Sequence, residues 1–187
     1  MFIRIRNLIF YPAKEWETIA VENNDRKTIY VRFVVPLLCL IAVATIIGTW
    51  LVASREVYSI SYVCYKITFL WTSLSAGLYF SALIITEIMA LQVNSKDHDL
   101  SFALMTYSSS AAYLVIAIVT LFPFFKELLV LVFYSCYLYW RGIPFILQIH
   151  GQKRMIYGLL SFFVVIAMYS LMFFFFGNVL RELMVNS

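Results

Sequence analysis

Twenty-one consecutive residues, Phe33 to Ala53, carry no charged side chain, and nothing else in the chain restricts its fold so strongly. A helix needs about 20 mostly apolar residues to cross the hydrocarbon core of a bilayer. Four further runs meet that length: 67–91, 102–125, 128–149 and 156–178. A soluble domain would have to hide all five. It cannot, because 63% of the 187 residues are hydrophobic and only 13% are charged, against about 25% charged in an ordinary soluble domain. The expected fold is therefore an all-α integral membrane protein: five transmembrane helices preceded, over residues 1–32, by an amphipathic interfacial region.

The connections are short, at 54–66, 92–101, a tight turn near Lys126–Glu127, and 150–155. They leave no room for an inserted domain. Orientation follows from the basic residues near the span ends. With the N-terminus inside, the cytoplasmic segments hold Arg4, Arg6, Lys14, Arg26, Lys27, Arg32, Lys96, Lys153 and Arg154, and the far side holds Arg55, Lys66, Lys126 and Arg181. Nine against four favours a cytoplasmic N-terminus and a C-terminus on the opposite side. No cleavable leader is expected, since the first long apolar run begins only after a charged stretch. Cys39, Cys64 and Cys136 are widely spaced, so neither a disulfide nor a metal site is expected.

Before the first span, Phe2, Ile5, Leu8 and Ile9 share one helical face, with Arg4 and Arg6 beside them. After Pro12, a favourable first-turn residue, Trp16, Ile19 and Ala20 share a second face, leaving Lys14, Glu15 and Glu17 for water. Such stripes suit helices lying in the headgroup plane, with Trp16 and Ile19 as interfacial anchors. They suit equally a short cytosolic helix packed under the bundle.

Two spans carry groups that are costly in hydrocarbon. Glu87 lies near one end of the second, and a charge there normally faces a cavity or a partner, or reaches the interface. In the fourth, Tyr134, Tyr137, Arg141, Gly142 and Pro144 lie within Y-S-C-Y-L-Y-W-R-G-I-P. Pro144 has no N–H for the carbonyl of Trp140, so a kink or break is expected. Arg141 then either lines a cavity or snorkels to lipid phosphates. Glu87 and Arg141 fall at similar depths, and an ion pair would explain both. The site expectation is a polar groove between the second and fourth spans, bordered by Glu87, Tyr107, Ser108, Tyr134, Tyr137, Arg141, Gly142 and Pro144. Ser73, Gly77 and Ser81, with Ala112 spaced four residues from Ser108, form small-residue stripes that let helices pack closely. Catalytic signatures such as G-x-x-x-x-G-K, H-E-x-x-H and G-x-S-x-G are missing from the sequence. No catalytic residue, cofactor or metal is expected.

Two stretches resemble the Ypt-interacting protein (Yip) family, in its bacterial branch. The first is N-L-I-F-Y-P-A-K-E-W-E-T-I-A-V-E-N, where Pro12, Trp16, Ile19, Glu22 and Asn23 match the usual opening. The second runs from M-T-Y-S-S-S-A-A-Y-L at Met105 to the segment ending at Pro144, with Tyr107, Ser108, Tyr134, Tyr137, Gly142 and Pro144 at the family's third- and fourth-span positions. The resemblance implies a five-helix membrane domain with a cytoplasmic N-terminus, set in a bacterial inner membrane. Eukaryotic relatives bind Rab-type GTPases, but their D-L-Y-G-P-type motif is missing here, so no Rab-binding residue carries over.

The expected function is non-enzymatic: binding of lipid or a partner protein in membrane organisation or trafficking. The alternative is a small lipid scramblase or transporter using the groove, and a membrane enzyme with an unfamiliar motif is a third reading. Membrane lipids are the expected partners, with another membrane protein or a second copy of the chain as the alternative; nucleic acid is not expected.

Overall fold

The structure, a computed structural model, describes residues 1–22, 24–52, 60–93, 97–147 and 152–185. All the regular elements among them are helices. Five are long and apolar enough to cross a membrane: Arg26–Leu51, Ile60–Ile88, His98–Leu121, Pro123–Ile146 and Gly158–Val179. These are the first to fifth spans. Two short helices precede them, α1 (Phe2–Phe10) and α2 (Pro12–Val21).

The third span is the centre of the bundle. Within its apolar stretch 72% of residues are buried, against 11% in the fifth. The first, second and fourth spans pack on the third, and the fifth packs mainly on the second. Close approach is built from small residues. A side chain added at Gly48 would have its Cβ 1.8 Å from the Thr120 carbonyl oxygen, so the first and third spans touch backbone to backbone. On the second span Ser73 and Ser81 are fully buried, and a Cβ at Gly77 would sit 2.6 Å from the ring of Tyr169 on the fifth.

Several boundaries differ from expectation. The first span begins at Arg26 rather than Phe33, because its charged first turns remain helical beyond the apolar stretch. It contains one wide turn, Tyr30–Val34, in which the N–H of Val35 reaches back five residues to the carbonyl of Tyr30. Pro36, which offers no N–H to the carbonyl of Arg32, is the physical cause of such a bulge. Lys66 lies inside the second helix, Ile60–Val93, not in a loop. Asp97 caps the third span, its carboxylate accepting from the N–H groups of Asp99 and Leu100. That places His98 in the first helical turn; His150 lies outside the described residues.

The expected turn at Lys126–Glu127 falls instead at Phe122, after which Pro123 opens a tight helical segment, Pro123–Phe133. Proline suits that first position, where no intrahelical N–H is needed. The break expected at Pro144 is not present: the helix Tyr134–Ile146 runs through it. One lost hydrogen bond is tolerated there, and the irregular part of the fourth span lies upstream, at Phe125 (φ −100°, ψ 45°).

Ile5, Leu8, Trp16 and Ile19 are all buried within the protein. The N-terminal helices are therefore a hairpin docked on the bundle. Trp16 and Ile19 anchor it to the other helices and not to headgroups, since their surface is already covered by protein.

Candidate functional site

The docked hairpin builds a polar network that shares Tyr107 with the expected groove but is otherwise made of residues outside it. Arg4 projects from α1 towards the third span. Its Nε donates to Glu15 Oε1 at 3.1 Å, its Nη1 donates to the Tyr107 hydroxyl at 3.0 Å, and its Nη2 donates to Glu22. The remaining carboxylate oxygens are also occupied: Asn7 Nδ2 donates to Glu15 Oε2 at 3.0 Å, and Asn24 Nδ2 to Glu22 Oε2 at 2.9 Å. A guanidinium presents five donors in a fixed fork, which lets one cation hold two carboxylates and a phenol together. Burial alone would lower the pKa of Arg4, but the bonds to Glu22 and Tyr107 outweigh it and the pKa is raised.

Trp16 forms the floor of this arrangement. It meets Tyr107 edge to face at 6.5 Å, and Phe33 packs on the same ring at 4.8 Å. Gly142 provides the seat: a Cβ there would stand 2.9 Å from the Trp16 indole and 2.5 Å from Leu104. From the fourth span the Tyr134 hydroxyl donates to the carbonyl of Ile9 at 2.8 Å, holding the end of α1. Arg26 pairs with Asp99 at 2.7 Å, joining the ends of the first and third spans.

Beside the network lies a cavity of about 320 Å³, lined by Arg4, Glu22, Asn24, Thr28, Arg32, Phe33 and Tyr107 together with Met1 and Ile29. Its walls come from the hairpin, the start of the first span and the third span. Arg32 sits in the wide turn that Pro36 imposes, exposed and without an ion pair among the described residues. Two arginines and a carboxylate thus face one space, with an aromatic floor. Such a pocket can bind a group that carries a phosphate next to a cation.

The sequence-derived site residues divide accordingly. Tyr107, Tyr134 and Gly142 come together, but around the hairpin. Ser108 is buried and its hydroxyl donates to the carbonyl of Leu104 at 2.6 Å. Tyr137 is 45% exposed and packs against Tyr134. Glu87 is exposed near the end of the apolar stretch of the second span. Arg141 is partly buried, its Nε enclosed without a hydrogen-bond partner. Among the described residues no ion pair joins Glu87 to Arg141. The third span packs on both the second and the fourth, and the cavity to which both contribute, through Leu74 and through Val132, Phe133, Ser135 and Cys136, is lined by none of the expected groove residues. Ala112 lies where the third and fourth spans meet, its N–H donating to Ser135 Oγ at 2.9 Å. Asn23 is outside the described residues.

Sequence reasoning missed Arg4, Glu15 and Asn7. Glu15, expected on the water-facing side, is 9% exposed. Its seven-residue spacing from Glu22, on the face that carries Ile19, was the available signal.

The fold and the docked hairpin define a class: a five-span helical membrane protein whose N-terminal segment is part of the bundle. The Yip1 domain matches residues 6–174, which takes in the hairpin from Arg6 onward and all but the end of the last span, and the chain belongs to the Yip family. No curated protein and no solved structure gives a match.

Proposed function

We propose that the chain is a non-enzymatic lipid-binding member of its family, and that the cavity under the hairpin recognises a zwitterionic phospholipid headgroup. Arg32 takes the phosphate, and Glu22, which also lines the cavity, takes the amine alongside its bonds to Arg4 and Asn24. The observation that supports this reading is the mixed charge of a 320 Å³ space in which Arg32 is exposed and makes no ion pair among the described residues. Arginine suits phosphate because its fork matches the oxygens. Arg4 is engaged by two carboxylates and a phenol, so it shapes the wall. The excess of basic residues on the N-terminal side supports a pocket at the cytoplasmic leaflet, in what the resemblance to the bacterial branch implies is an inner membrane.

Native mass spectrometry of the detergent-purified chain, titrated with phosphatidylethanolamine and with diacylglycerol, tests the reading. Phosphatidylethanolamine should be retained over diacylglycerol, and Arg32→Gln should reduce that retention by about tenfold, the equivalent of one charge-assisted contact. Equal retention of both lipids, or indifference to Arg32→Gln, would defeat it.

A further inference from the structure

A second cavity, of about 350 Å³, lies between the third, fourth and fifth spans. We infer that it holds one acyl chain of a membrane lipid. It is on the far side of the third span from the headgroup pocket, since Ser109 points about 200° around the helix from Tyr107, and the inference does not depend on that pocket.

The cavity exists because its flank is loosely packed. No residue of Pro123–Phe133 is buried, so the first half of the fourth span, though it packs on the third, is covered on few sides, and the fifth span is covered mainly by the second. The lining includes no charged side chain. Four of its five hydroxyls are engaged within the protein, Ser170 being the exception among the bonds described. Tyr113 donates to the carbonyl of Leu74 at 3.0 Å and meets the Tyr169 hydroxyl at 3.2 Å, Ser109 lies 3.5 Å from that same hydroxyl, and Ser135 accepts from Ala112. What remains for a ligand is mainly apolar contact, supplied by Ile116, Val132, Val165 and Phe173 among others.

An ion or an ionic headgroup would find no counter-charge there. Water would find few groups to bond, and apolar cavities of about 150 Å³ already stay dry and accept hydrocarbon. Interiors otherwise close-pack, with few voids larger than a water molecule. The space is also open to the bilayer, because Phe133 and Ile166 both line it and are 64% and 43% exposed. A smaller extension of about 50 Å³ shares Ser109, Ser135, Cys136 and Val165 with it and continues to Met105 and Tyr139. The whole is an elongated slot along the helix axes, the shape of a chain rather than of a ring.

The test uses the full chain in nanodiscs of phosphatidylcholine doped with an analogue that carries a diazirine midway along one acyl chain. After irradiation and digestion, label on the peptides holding Ile116, Cys136 and Val165 should exceed label at the exposed Phe174 by about fivefold, a modest preference of site over annulus. Ile116→Trp and, from another part of the wall, Ala112→Phe should each remove that excess and leave Phe174 labelling unchanged. Arg32→Gln should leave it intact, which separates this inference from the headgroup reading. Wild-type crevice labelling no higher than at Phe174, or an excess that survives both filling substitutions, would overturn it.

Discussion

Tyr107 and Tyr113 both stand on the third span and both are almost fully buried, at 3% exposed each, yet their surroundings differ in kind. Tyr107 accepts from Arg4 and is covered by Trp16 and Phe33, so its neighbours come from the hairpin and the first span. Tyr113 touches only neutral groups, the Leu74 carbonyl and the Tyr169 hydroxyl, and borders open space. One face is held by charge and interlocking rings beside a polar cavity; the other is held by a few hydroxyls beside an apolar one. The lesson is that one helix can be both the keystone of a rigid joint and the wall of a pliable one. In a membrane, where lipid is as apolar as leucine, packing and polar contacts rather than burial alone decide which.

The contrast should be visible in stability. Trp16→Ala empties a fully buried site and frees the hairpin from its seat, and a loss of about 3–5 kcal/mol is expected. Unfolding in detergent followed by circular dichroism would measure it, and trypsin should cut at Lys14 faster. A change below 1 kcal/mol would mean that the hairpin contributes little to the joint. Gly142→Leu should weaken the same seat from the other side, since its Cβ already falls 2.5 Å from Leu104; overpacking of this kind costs about 1–3 kcal/mol. The two changes act on one contact, so their combination should cost less than the sum of the parts.

Arg4→Ala comes next in size. It leaves Glu15 and Glu22 without their shared cation. Breaking a buried pair on one side costs about 3–5 kcal/mol, and Arg4 and Glu22 keep side-chain exposures of 24% and 33%, so about 2 kcal/mol is expected. Arg4→Lys should recover only part of it, because an ammonium lacks the planar fork that spans two carboxylates and a phenol. Full recovery by lysine would show that charge alone holds the joint.

These residues also mark the limits of what the chain disclosed before its fold was known. The five spans were legible because hydrophobic length is a local property, and so was the amphipathic character of α1 and α2. The same stripes allowed either a lipid-facing or a protein-facing hairpin, because periodicity reports which face is apolar and not what covers it. Glu15 shows the difficulty most clearly. A carboxylate beside an apolar stripe reads as solvated until Arg4 and Asn7, eleven and eight residues away along the chain, are folded over it. Gly142 misled in a related way: it reads as the border of a groove, whereas its missing side chain makes room for an indole 126 positions earlier. Tyr107, Tyr134 and Gly142 were singled out by their residue types and their family resemblance, but the partner element was chosen wrongly. Depth in the membrane can be estimated from sequence; which helix stands between two others cannot.

The smallest expected effect belongs to the open face. Tyr169→Phe removes the hydroxyl that bridges Tyr113 and Ser109 but keeps the ring that rests on Gly77. Tyr113 retains its bond to the Leu74 carbonyl, so no buried donor on that residue is orphaned. The cost should be about 1 kcal/mol, the usual net worth of a neutral hydrogen bond, and about half that of Arg4→Ala. The functional signature should differ as well. Arg4→Ala should disturb the headgroup cavity that Arg4 lines, whereas Tyr169→Phe should leave phosphatidylethanolamine retention unchanged, since its hydroxyl lies across the third span. If Tyr169→Phe instead lowered retention as far as Arg4→Ala does, the two faces would be coupled through the third span, and the contrast between a rigid and a pliable joint would have to be given up for a single cooperative unit.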